Sequence, residues 1–150
     1  MRKLRSFLTL VALVLLASGC ASDSGPTTPT TPAGGNRTET EPNDFLGQAL
    51  GALSSSDFVV TGSTTDFTDV DLYTVTASAP TARLVSLDWS TASDLELSIS
   101  NSSGVFVRHV DTAGHPEACT LVGLPAGTYT VRVGSLTNAA TPYALTIGQR

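Results

Sequence analysis

After Lys3 the chain contains no lysine, and the whole sequence has only two cysteines, two histidines, one tryptophan and one methionine. From residue 20 onward five arginines face thirteen acidic residues, a net charge of −8. An acidic, lysine-free body has no basic stripe with which to displace phosphate counterions, so a nucleic-acid binder is excluded. A P-loop and a Schiff-base site both need a lysine and fall with it. His109 and His115 do not form a His-Glu-x-x-His metalloprotease spacing, and no Gly-x-Ser-x-Gly elbow occurs. Long apolar runs are also scarce. The one that exists, Phe7–Ala17, is too short for a permanent membrane-spanning helix.

That run has a different use. It follows a basic start (Arg2, Lys3, Arg5) and ends in small residues, which is the layout of a secretory signal over residues 1–19. Leu16-Ala17-Ser18-Gly19-Cys20 resembles the lipobox of bacterial lipoproteins. The resemblance implies that Cys20 is acylated, palmitate included, and becomes the mature N-terminus. Ala21, rather than Asp, at the next position implies the outer membrane more than the inner one. Several acyl chains on one residue give stable anchoring where a single chain does not. Residues 21–38 are rich in Thr, Pro, Gly and Ser and lack large apolar side chains, so they read as an extended tether at roughly 3.1 Å per residue. The domain proper is then expected over residues 39–150.

Within it the hydrophobic period is two. Val85/Leu87/Trp89, Leu95/Leu97/Ile99, Tyr129/Val131/Val133 and Tyr143/Leu145/Ile147 each alternate with polar or small neighbours. Weaker candidates are Asp57–Thr61, Asp71–Ala77, Val105–Val110 and Ala118–Leu124, with turn chemistry between the runs. Phe45–Leu53 suits one helical turn at most. About eight short antiparallel strands predict an all-β sandwich of jelly-roll type. Cys119 and Trp89 share the phase of apolar neighbours and read as core residues.

One constellation carries chemistry. Glu39, Glu41 and Asn43 are spaced two apart, Pro42 favours an extended Glu41, and Asp44 follows at the corner. Asp66, Asp69 and Asp71 form a second acidic group. If the two segments meet, five or six oxygens converge, a shell suited to Ca²⁺ and to no soft metal. The alternative is a set of solvated loop carboxylates and turn caps. The spacing does not match an EF-hand loop.

Five motifs in order extend this reading. They are Glu39-x-Glu41-x-Asn43-Asp44, Gly62 followed by Asp69-x-Asp71-Leu72-Tyr73, Asp94-Leu95-Glu96-Leu97 with its turn Asn101–Gly104, Leu124-Pro125-Ala126-Gly127-Thr128-Tyr129, and Tyr143-Ala144-Leu145. Together they resemble the bacterial pre-peptidase C-terminal domain, the family that includes the collagen-binding domains of clostridial collagenases. The resemblance implies a jelly-roll sandwich without catalytic machinery. It also implies calcium in some members, here through Glu39, Glu41, Asn43, Asp44, Asp66, Asp69 and Asp71. Family domains accompany a secreted peptidase, which this chain lacks. The expected function is therefore a non-catalytic binding or accessory module held on the cell envelope by its lipid. The membrane, and an envelope polymer or a secreted protein, are its expected partners. The competing expectation is a small envelope hydrolase using a carboxylate pair such as Asp69 and Asp71, or an unrecognised triad.

The address can be tested directly. Cys20→Ala should abolish incorporation of labelled palmitate and release the protein from the detergent phase, as read by phase partitioning of labelled cells.

Overall fold

The computed structural model describes residues 34–53, 56–90 and 92–149. The basic leader, the lipobox with Cys20 and most of the tether lie outside the described residues. Ten strands follow one another: β1 (Gly35–Thr38), β2 (Gln48–Ala52), β3 (Phe58–Thr64), β4 (Val70–Ala77), β5 (Thr81–Trp89), β6 (Leu95–Asn101), β7 (Phe106–Val110), β8 (Glu117–Leu124), β9 (Gly127–Ser135) and β10 (Thr141–Gln149). They form two five-stranded sheets, ordered β1-β3-β10-β5-β8 and β2-β4-β9-β6-β7. No helix occurs among the described residues.

The four strong alternating runs lie in β5, β6, β9 and β10, and each turns its apolar phase inward. Val85, Leu87, Trp89, Leu95, Leu97, Ile99, Tyr129, Val131, Val133, Tyr143, Leu145 and Ile147 are all buried between the sheets. Period-two alternation puts every second side chain on one face, so two such faces can close on each other without burying charge. Trp89 belongs to this core and donates its indole N–H to the Ser93 carbonyl at 2.8 Å. Cys119, the single free cysteine among the described residues, is half-buried and packs against the same cluster. Burial pushes its thiol pKa up, so the thiolate is disfavoured.

The fold is all-β, as the alternation requires, but it has ten strands rather than eight, and two of its pairings are parallel. β1 runs parallel to β3 and β2 parallel to β4, each on the edge of its sheet. β1 comes from residues whose composition reads as tether, and β2 from the segment suited to a helical turn. Neither shows alternation, for physical reasons. An edge strand such as Gly35-Asn36-Arg37-Thr38 is held by main-chain hydrogen bonds and need bury no apolar side chain. In β2 the register shifts between Ala49 and Gly51, and Gly51 sits at φ +106°, so the period breaks mid-strand.

Most consecutive strands cross from one sheet to the other, and among the described residues β6–β7 is the one hairpin between sequence neighbours. Its turn is set by Asn101, whose Oδ1 accepts the amides of Ser103 and Val105 at 3.0 Å each, with Gly104 in the left-handed region. The crossings bring distant segments to one end of the sandwich. There Val70 pairs with Gly134, Gly134 with Glu96, Tyr143 with Trp89, and Leu87 with Glu117.

Two leucines separate the inner face from the outer. Leu145→Ala, at a fully buried position of β10, should destabilise the domain by about 3 kcal/mol in a denaturant titration. Leu84→Ala, on the outward face of β5, should cost under about 0.5 kcal/mol.

Candidate functional site

Glu39 follows β1 directly, and its amide continues the ladder by donating to the Thr61 carbonyl at 2.9 Å. Its side chain turns into the end of the sandwich and accepts four hydrogen bonds. Oε2 takes the Ser63 amide at 2.8 Å. Oε1 takes the Asn43 side-chain amide at 3.2 Å and the hydroxyls of Tyr73 and Tyr143 at 2.9 and 3.0 Å. Gly62 makes the approach possible. A Cβ there would lie 2.5 Å from the Tyr143 hydroxyl oxygen and 2.9 Å from Glu39 Oε2.

Asp71 stands on β4, completely buried, with Oδ2 2.8 Å from the Tyr143 hydroxyl, which shares its one proton between Asp71 and Glu39. The Tyr73 and Tyr143 hydroxyl oxygens are 2.5 Å apart. Since Tyr73 is on β4 of one sheet and Tyr143 on β10 of the other, the network joins the two layers. Ligand atoms of Glu39, Glu41 and Asp71 lie within 4.8 Å of one another. Two buried oxygens on Asp71 and Asn43 have no hydrogen-bond partner: Asp71 Oδ1 and Asn43 Oδ1. A shallow depression of about 330 Å³, lined by Thr38, Glu39, Glu41, Thr61, Gly62 and Ser63, opens onto the site.

The electrostatics follow from this crowding. Burial, then the hydrogen bond and charge of Glu39, push the Asp71 carboxyl up to about 9. Although burial works against it, Glu39 is held below its usual range by its bonds to Asp71, Ser63, Tyr73 and Asn43. Burial and the shared contact therefore favour one proton held by the pair, with Asp71 the member pushed up. Desolvation raises Glu41, helped by the charges of Glu39, Asp69 and Asp44 against the Asn43 amide. Burial drives both tyrosines far upward, so they remain neutral donors.

Of the seven residues the sequence put forward, the structure brings Glu39, Glu41 and Asp71 together and bonds Asn43 to Glu39. The other three serve the adjoining turns. Asp44 Oδ1 accepts the Val70 amide at 3.3 Å and ties the two acidic loops. Asp66 Oδ1 accepts the amide and hydroxyl of Thr68 at 2.7 and 2.6 Å, which hold its carboxyl below the usual range. Asp69 Oδ2 accepts the Thr65 amide at 2.6 Å. Sequence reading left Ser63, Tyr73 and Tyr143 out of the site. The two tyrosines carried a signal, because a tyrosine on an inward phase needs a buried partner for its hydroxyl.

A second group, Glu96, His109 and Asp111, gathers on the outer face of β6 and β7 within the same 4.8 Å limit. Glu96 is ion-paired with Arg132 there. His115 lies in the loop before β8, its Nδ1 3.4 Å from Asp88 and its ring 5.4 Å from that of Trp89.

The shared proton has a pH signature. The native state keeps a proton on Asp71 that the unfolded chain releases above its ordinary value of 3.8. The stabilisation from this group is therefore complete below that value and is lost as pH rises toward about 9. Glu39 has the opposite sign, and its contribution is lost as pH falls below the ordinary 4.5. In chelator, Asp71→Asn should flatten the decline in stability between pH 5 and 9. The removable slope is at most about 1.4 kcal/mol per pH unit, read from denaturant titrations across that range.

No family model matches the chain, and no curated protein matches it. Among solved structures it is similar to the pre-peptidase C-terminal domain of a collagenase from Bacillus anthracis, with a TM-score of 0.57 and 15% identity over 73% of this chain and 99% of that one. The Yersinia pseudotuberculosis-derived mitogen matches with a TM-score of 0.48 and 10% identity, over 65% of this chain and 88% of that one. PliG of Aeromonas hydrophila, a periplasmic inhibitor of g-type lysozyme, matches with 0.43 and 11%, over 77% and 96%. The chain shares the fold of the pre-peptidase C-terminal domain.

Proposed function

We propose that this protein is a lipid-anchored, non-catalytic binding or accessory module of the cell envelope, and that calcium clamps its sandwich at the Glu39–Asp71 end. The observation that carries the calcium reading is the pair of unpartnered buried oxygens, Asp71 Oδ1 and Asn43 Oδ1, beside the carboxylates of Glu39 and Glu41. Buried polar atoms without partners are rare, and Glu39, Glu41 and Asp71 bring hard oxygen donors within 4.8 Å of one another, with the Asn43 side chain bonded to Glu39. Glu39, Glu41, Asp71 and Asn43 would hold the ion, which would supply the positive charge that the carboxylates otherwise replace with a proton. Ser63, Tyr73 and Tyr143 orient Glu39 and Asp71 from behind, as outer-shell partners of metal ligands do.

The same geometry favours a structural role over a hydrolytic one. Asp71 is sealed beneath Tyr143, and Asp69 is committed to a turn amide. Neither is presented as a general acid or base to a substrate-sized cleft. The fold is shared with the pre-peptidase C-terminal domain of a collagenase, which supports an accessory role for this chain too.

Calcium titration tests the reading. A ligand that binds only the native state raises the thermal midpoint, by the equivalent of about 2.7 kcal/mol at a hundredfold excess over Kd. The wild-type domain should show such a shift, and Asp71→Asn should lose it while remaining folded. An unchanged wild-type midpoint at millimolar calcium would remove the clamp.

A further inference from the structure

The two acidic loops carry three exposed large apolar side chains, among them the two most exposed such side chains of the described residues. Phe45 is 91% exposed and Leu46 87%, on the loop after Asp44, and Phe67 is 61% exposed in the turn between Asp66 and Asp69. The loops adjoin, because Asp44 Oδ1 bonds the Val70 amide and Gln48 pairs with Tyr73 in the β2–β4 ladder. Both are pinned. Asp44 holds one end of the Phe45-Leu46 segment. At the other, Gly47 lies so close to Leu72 that a Cβ would meet its backbone at 3.1 Å. Phe67 is fixed by the Asp66–Thr68 and Asp69–Thr65 bonds on either side of it. The apolar side chains are thus held out to solvent by a braced backbone, a geometry that lowers the ordering cost of binding.

Their surroundings specify the partner. Between Arg37 and Arg83 the sequence has seven acidic residues and no lysine, arginine or histidine. The carboxylates of Asp44, Asp66 and Asp69 accept bonds from neutral amide or hydroxyl donors. An apolar tip whose own loops carry the carboxylates of Asp44, Asp66 and Asp69 complements a surface with the reverse charge and a matching apolar centre.

We propose that Phe45, Leu46 and Phe67 form a docking tip for a partner protein segment in which apolar side chains are flanked by lysine or arginine. This rests on the reading of the domain as a binding module and gives that module its binding face. The tip is separate from the buried network, since its three side chains point to solvent while Glu39, Asp71 and the tyrosines lie behind the loops.

The test uses the folded domain with three synthetic peptides of equal length: alternating leucine–lysine, all-lysine, and alternating leucine–glutamate. Phospholipid vesicles, zwitterionic and anionic, form a fourth arm. The leucine–lysine peptide should bind best, all-lysine more weakly and leucine–glutamate not at all, with affinity falling as salt rises. A triple variant, Phe45→Ser, Leu46→Ser and Phe67→Ser, should lose at least about tenfold in affinity for the leucine–lysine peptide. Its thermal midpoint should stay at the wild-type value, because exposed side chains contribute little to folding. Equal binding by the triple variant, equal binding of the leucine–glutamate peptide, or no binding of any peptide would overturn the proposal. Tip-dependent binding to vesicles in preference to the leucine–lysine peptide would overturn it as well and make the tip a membrane contact. None of these outcomes bears on the calcium-dependent midpoint, so loss of the tip and loss of the clamp are separately visible.

Discussion

The Glu39 carboxylate is the point on which this end of the molecule depends. It sits where β1 gives way to a loop and gathers donors from β3, from the loop itself, and from β4 and β10. Because β3 and β10 lie in one sheet and β4 in the other, one side chain ties both layers and the entering chain together. Such a junction cannot be apolar. The edge amide of Ser63 and the two tyrosine hydroxyls need an acceptor once buried, and a carboxylate accepts several bonds at once.

That solution creates the next constraint. Asp71 is fully buried beside Glu39, and two carboxylates at this distance do not both ionise without a cation. The network settles its charge with a proton on Asp71, yet leaves one oxygen of Asp71 and one of Asn43 unpaired. Stability and proton binding are therefore coupled at a single place. The rest of the domain is conventional by comparison, with two alternating faces closed on a core of aliphatic and aromatic side chains.

The loops that frame the junction have a second character. They are braced internally by Asp44, Asp66 and Asp69, and that bracing is what allows Phe45, Leu46 and Phe67 to stand in solvent. Asp44, Asp66 and Asp69, candidate ligands in the sequence, each accept a hydrogen bond that holds a turn or loop. The distinction was invisible beforehand, because a carboxylate two or three residues from a threonine suits an Asx turn and a metal shell equally well. The apolar residues between them look in sequence like ordinary strand or helix material. Only their placement in pinned loops separates them from the core.

Some of this was set by local chemistry and legible from it. Period-two alternation in β5, β6, β9 and β10 follows from backbone geometry alone, so the all-β sandwich, its inner face and the core position of Trp89 could be read from the residues. The acidic surplus and the absence of lysine are likewise properties of the chain itself. The parallel edge strands β1 and β2 were not legible, because edge pairing is made by main-chain groups that every sequence possesses. Nor were the gathering of Glu39, Glu41 and Asp71 at one place, and the part played by Tyr73 and Tyr143. Glu39 and Tyr143 are 104 residues apart, and their contact exists only because strands from two sheets end at the same pole. Side chains settle their own periodicity within a few residues, whereas charge burial and proton sharing are decided by which distant strands the topology brings side by side.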